Sequence, residues 1–123
     1  MNLVDSSGWL EYFADGPNAE KYVEPLNALE DLIVPTICLY EIFKVVLRER
    51  DEDSAIQAIA IMKQAKIIEL SQDIALQAAK ISLDLKLPMA DSIILATAAK
   101  YEAIVWTQDA DFKGKPFVKY FTK

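Results

Sequence analysis

An α/β fold is predicted: a three-layer α/β/α sandwich around a central, mostly parallel sheet of four to five short strands. Three observations lead there. Short apolar runs alternate with amphipathic helical stretches along the chain, the order that parallel βαβ units produce. Apolar residues make up 53% of the sequence, enough for helices to cover both faces of a sheet. A length of 123 residues, without internal repeat or linker, suits a single domain over residues 1–123.

Leu3-Val4-Asp5 reads as a short buried strand, and Ser6-Ser7 can cap the helix after it. Trp9, Leu10, Tyr12 and Phe13 supply that helix's apolar face. Asp15-Gly16-Pro17-Asn18 is a turn signal. A single helix is expected over residues 19–30, with Tyr22, Val23, Leu26 and Leu29 at helical spacing. Leu32-Ile33-Val34 forms the second strand. Pro35-Thr36 opens a helix over residues 37–50 that is apolar on most sides. A helix over residues 53–65 should turn Ile56, Ile59, Ala60 and Met62 inward. Residues 66–70 alternate like a strand, and Ser71 caps a helix running to Leu85. Leu87-Pro88 breaks the chain before a helix over residues 90–101. Residues 103–106 and 117–120 complete the set of strands.

Composition excludes several chemistries. There is no histidine, no CxxC, no HExxH and no glycine-rich phosphate loop, which removes structural zinc, zincin and P-loop mechanisms. Cys38, the lone cysteine, cannot form an internal disulfide, and its apolar setting in ICLYEIF marks a buried spacer. MNLVDSSG is polar by residue five, unlike a signal peptide, and no apolar stretch is long enough to span a bilayer. The cytoplasm is the expected compartment. Net charge is −6, yet residues 113–123 hold four lysines and no acid. That run is either a solvated segment or a phosphate contact.

Four acids stand out: Asp5 after the first strand, Glu41 and Asp91 on helices, and Asp109 after a late strand. Each has an ordinary explanation. Asp5 can cap a helix, Asp91 complements a helix dipole, Asp109 and Asp111 lie in a loop, and Glu41 shares a helical stripe with Lys44 and Arg48. Jointly they point elsewhere, because the exits of parallel strands converge. Buried carboxylates need a partner, and a divalent cation is the simplest one for four of them. Mg²⁺ and Mn²⁺ prefer oxygen ligands and supply phosphodiester hydrolysis without a histidine. Ser6, Ser7 and Thr107 stand ready to hydrogen-bond the ligands. Lys44 and Arg48, three and seven residues beyond Glu41, are candidate contacts to an RNA backbone.

These residues, in this order, resemble the PIN domain, and in particular the VapC-type toxin ribonucleases of toxin–antitoxin operons. The resemblance covers essentially the whole chain. It rests on Leu3-Val4-Asp5-Ser6-Ser7, on Glu41 within a helix, on PMADSIILATA at residues 88–98 and on TQDADF at residues 107–112. It implies a helix-sandwiched parallel sheet and a Mg²⁺- or Mn²⁺-dependent endoribonuclease. It matches Asp5, Glu41 and Asp91 to the three principal metal-binding acids, and Asp109 or Asp111 to a fourth. Thr107 matches the hydroxyl that precedes it. The resemblance also implies a homodimer and a cognate antitoxin whose peptide lies in a groove between the early helices. Trp9, Tyr12, Phe13 and Tyr22 are candidates to line that groove.

Two alternatives belong to other classes. A catalytically silent PIN-fold binding module is disfavoured by acids at all four places. A receiver-like signalling domain would need paired early acids and a late-strand lysine, and both are missing. The acidic balance is unusual for an RNA-binding protein.

Overall fold

Short runs of Leu, Ile and Val pair into one fully parallel sheet in the computed structural model, which describes residues 1–123. The strands are β1 (Asn2–Val4), β2 (Leu32–Pro35), β3 (Lys66–Ile68), β4 (Ile104–Thr107) and β5 (Val118–Tyr120). Their spatial order is β3-β2-β1-β4-β5. Leu3, Val4, Ile33, Val34 and Val105 are completely buried, as expected of strands covered on both faces. Six helices flank the sheet: α1 (Ser6–Phe13), α2 (Val23–Asn27), α3 (Thr36–Glu49), α4 (Glu52–Met62), α5 (Gln72–Leu85) and α6 (Met89–Lys100). The predicted sandwich of four to five strands is therefore the observed one.

Strand order reverses beside β1. The chain moves outward from β1 through β2 to β3, then returns to place β4 and β5 on the other side. Such a switch opens a crevice at the carboxyl ends of the two strands that flank it, here β1 and β4. Register Val4↔Trp106 brings those ends level, so Asp5 and Thr107 emerge side by side.

Local chemistry explains the element boundaries. The residue capping α1 is Asp5, rather than Ser6 or Ser7, with its side chain accepting the Gly8 N–H. Ser71 caps α5 as expected, accepting the Ile74 N–H. Lys86 closes α5 in the left-handed region at φ 56°, and Pro88, with φ −58°, leads into α6. Buried Ser92 and Thr97 on α6 donate to Pro88 O and Ile93 O, each at 2.8 Å, so their hydroxyls do not go unpaired.

Two expectations are corrected. Residues 19–30 are not one helix; a 3₁₀ turn (Ala19–Tyr22), α2 and a second 3₁₀ turn (Leu29–Asp31) replace it. Pro25 lacks an N–H and is tolerated only in a first turn, so helical structure restarts at Val23. In α4 the buried residues are Ala55, Ala58 and Met62, while Ile56 and Ala60 face outward. Met62 is buried and Ile59 packs half-buried against the core, as expected; Ala55 and Ala58 let α4 lie close to α3, which leaves Ile56 outside.

Gly8 marks a close approach. A Cβ there would lie 2.6 Å from both Tyr22 Cε1 and Val4 Cγ1. Gly8→Ala is expected to destabilise the fold by roughly 1–3 kcal/mol through overpacking, despite alanine's better helix propensity. A denaturant titration would show this as a lower midpoint.

Candidate metal centre

Asp5 is only 2% exposed at the exit of β1. Its Oδ1 accepts the Gly8 N–H at 3.1 Å and the Ser7 hydroxyl at 2.8 Å. Its Oδ2 accepts the Thr107 hydroxyl, also at 2.8 Å, across the β1–β4 crevice. Thr107 Oγ1 in turn accepts the Asp109 N–H at 2.9 Å, and Ser7 Oγ accepts the Gln108 N–H at 3.2 Å. One buried carboxylate thus organises the whole loop after β4.

Asp91 comes from the first turn of α6. Asp109 caps a 3₁₀ turn over Ala110–Phe112, its Oδ1 accepting the Asp111 N–H at 2.9 Å. Carboxylate oxygens of Asp91, Asp109 and Asp111 lie within 4.8 Å of one another. Asp109 is half-buried and Asp111 exposed, and both face Asp91. Asp5 and Glu41 stand outside that tight group but at the same end of the sheet. Glu41, on α3, receives the Ser6 hydroxyl at 2.6 Å, so adjacent serines serve different acids.

The electrostatics are those of an uncompensated cluster. Burial pushes the Asp5 carboxyl up to about 6; hydrogen bonds from Ser7, Thr107 and Gly8 oppose the rise, and the Asp109 charge adds to it. Asp91 rises to about 7, first by burial, then by the charges of Asp109 and Asp111. The two ion pairs in the molecule, Arg48–Glu49 and Lys100–Asp73, involve none of these acids. Burial and the neighbouring carboxylates also push the Cys38 thiol well above its ordinary value, which keeps it protonated and unreactive. Oxygen donors alone, on several carboxylates that no lysine or arginine pairs with, form a set suited to a hard divalent ion.

Of the candidate RNA contacts, Lys44 lies with its Nζ 5.6 Å from the Tyr40 ring centroid. Arg48 pairs with Glu49 at 3.2 Å on the surface. The groove candidates divide. Trp9 and Tyr22 are core residues, 2% and 0% exposed. Phe13 does line an apolar groove of about 490 Å³, with Leu10, Val45, Val46, Ala58 and Ile61. Asn18 and Gln108, joined by a hydrogen bond beside this loop, stand in a turn signal and in TQDADF, but nothing in the sequence shows that they meet. Their roles depend on contacts some 90 residues apart.

A switched parallel sheet with carboxylates gathered at its strand exits defines a class of acid-centred α/β proteins. Residues 3–118 match the PIN domain, and the chain belongs to that family. Solved structures agree. A chain of a toxin–antitoxin complex from Klebsiella pneumoniae is 26% identical, with a TM-score of 0.81 over 97% of this chain and 96% of that one. The VapC20 toxin of Mycobacterium tuberculosis, described as cleaving the sarcin-ricin loop, is 18% identical, with a TM-score of 0.79 over 96% and 97%. FitAcB from Neisseria gonorrhoeae is 24% identical, with a TM-score of 0.78 over 99% and 97%. No curated protein sequence matches significantly. No helix is long and apolar enough to cross a membrane.

The raised carboxyls carry a pH signature. Both bind protons more tightly in the folded state than at their ordinary value of 3.8. Their protonation therefore stabilises the fold; that contribution is complete below about pH 4 and is lost as pH rises through 6 to 7. For buried Asp5 the shift corresponds to about 3 kcal/mol. In EDTA the melting temperature should fall between pH 5 and pH 8. Asp91→Asn should raise it at pH 8 by removing repulsion. A melting temperature that is flat over this range, or a lower one for the variant, would contradict the repulsive cluster.

Proposed function

We propose that this PIN domain is a divalent-metal-dependent endoribonuclease and the toxin of a toxin–antitoxin pair. One observation carries the reading: three carboxylates within 4.8 Å, beside buried Asp5, with no lysine or arginine paired to them. Asp5, Glu41, Asp91 and Asp109 are the acids assigned to the metal and to catalysis, with Asp111 available beside Asp109. Bound Mg²⁺ or Mn²⁺ would polarise the scissile phosphodiester and lower the pKa of an attacking water.

The chain's own residues do the positioning. Ser7 and Thr107 fix both oxygens of Asp5, and Ser6 orients Glu41. These hydroxyls hold the carboxylates in place before any ion arrives, which lowers the cost of binding it. The lack of a histidine leaves the acids and the ion as the means of activating water.

Partners follow from the relatives and from the surface. Several structural relatives are toxin–antitoxin complexes, and the groove of α1, α3 and α4 is assigned to an apolar antitoxin segment. Leu76 and Leu83 on α5 and Met89 on α6 are 68%, 83% and 72% exposed. They form the face assigned to a homodimer. An RNA substrate and a lone, unpaired Cys38 support the cytoplasm as the compartment of this activity.

Cleavage of RNA should be negligible in excess EDTA and return with Mg²⁺ or Mn²⁺. Asp5→Asn and Asp91→Asn should each abolish it while circular dichroism stays native. Full activity in EDTA would sink the reading, and a variant cleaving near the wild-type rate would remove that acid from the site.

RNA contact is testable separately. If Lys44 and Arg48 touch phosphates, the Lys44→Ala/Arg48→Ala protein should bind RNA more weakly. Its log–log salt slope should become shallower by about one unit per lost contact. An unchanged slope would move the role to the lysines of residues 113–123.

A further inference from the structure

We propose that Asn18 is a positioning residue for the metal centre, acting through Gln108 on Asp109. The inference rests on the metal-centre reading above. Asn18 follows the turn after α1 and is 7% exposed. Its backbone N–H donates to Glu11 Oε2 at 2.7 Å, which anchors it to α1. Its carboxamide nitrogen spends both hydrogens on distant partners. One goes to Gln108 Oε1 at 3.2 Å, and the other to the Thr122 carbonyl at 3.1 Å.

Gln108 is equally buried, at 7% exposure. Its Oε1 accepts a second bond, from the Tyr22 hydroxyl at 3.3 Å, while its backbone N–H is held by Ser7 Oγ. A residue clamped at both backbone and side chain leaves little freedom to its neighbour. That neighbour is Asp109, whose N–H is itself bound to Thr107 Oγ1. The starting point and direction of the 3₁₀ turn carrying Asp109 and Asp111 are thereby set.

The Thr122 contact closes the arrangement from the other side. Phe121 packs edge-on to Tyr22, centroids 5.5 Å apart, and lies 6.1 Å from Trp106. Its N–H donates to the Thr107 carbonyl at 2.9 Å. The segment after β5 therefore lies over the loop that supplies the acid, and Asn18 bonds to both. A continuous chain of hydrogen bonds runs from Thr122 through Asn18, Gln108 and Ser7 to Asp5. An alanine at position 18 would take one of the two donors from the buried Gln108 Oε1, remove the bond to the Thr122 carbonyl and leave the loop less confined.

Mn²⁺ titration followed by electron paramagnetic resonance tests the proposal without reference to cleavage. Asn18→Ala should weaken Mn²⁺ binding about tenfold, as removal of a supporting hydrogen bond near a ligand does. Asp109→Asn should weaken it as well. The Asn18→Ala/Asp109→Asn protein should bind no more weakly than Asp109→Asn alone, since the first change acts through the second residue. Unaltered affinity in Asn18→Ala, or losses that multiply in the double variant, would overturn the assignment. Asn18→Ser is the substitute should Asn18→Ala fail to fold, with the same two outcomes. Wild-type protein that binds no Mn²⁺ would instead overturn the metal-centre reading, and the positioning role with it.

Discussion

The Asp5 carboxylate is the interaction on which the rest depends. It caps α1, receives hydroxyls from Ser7 and Thr107, and so joins the exits of β1 and β4. A charge so deeply buried is costly unless hydrogen-bonded and balanced. Three hydrogen bonds meet the first need. The second stays unmet by protein groups, so burial, with the Asp109 charge adding to it, drives the carboxyl up to about 6. Stability and charge conflict here, as they do where functional sites hold perturbed carboxylates.

The surrounding fold supplies the geometry this conflict requires. Parallel strands with a switch beside β1 bring Asp5 and Thr107 level. Helix α6 enters from Pro88 and delivers Asp91 in its first turn. Its next residues, from Ser92 to Ala98, are buried, so Asp91 cannot retreat from its neighbours without unseating the core. The repulsion between Asp91 and the acids at 109 and 111 is thus built in by packing elsewhere. It is the kind of local cost that a stable core can sustain.

Polar residues away from the acids act as scaffolding. Glu11, Asn18, Gln108 and the Thr122 carbonyl are linked in one network, and the network ends at the Asp5 hub through Ser7. Networks in which the donors and acceptors are paired impose a unique arrangement, which apolar packing alone does less well. The same logic explains why Ser6 and Ser7, adjacent in sequence, serve Glu41 and Asp5 respectively. Successive residues at the start of a helix point about 100° apart.

Much of this was legible in the chain. Apolar runs of three or four residues separated by helical stretches determined a parallel α/β sheet, because such strands must be covered on both faces. The order Asp5, Glu41, Asp91 and Asp109 resembled the PIN pattern, since strand exits and helix starts converge in that topology. Where the sequence misled, a local constraint or a competing face decided. Pro25 split an expected helix, and on α4 Ala55 and Ala58 turned inward in place of Ile56 and Ala60. What only the tertiary structure decided were contacts between residues far apart in the chain. Asn18 reaches Gln108 and Thr122 across some 90 and 104 positions, and Thr107 reaches Asp5 across 102. Periodicity reports which face of an element is buried, not which distant polar atom it meets; that depends on strand order and register, which are properties of the assembled sheet.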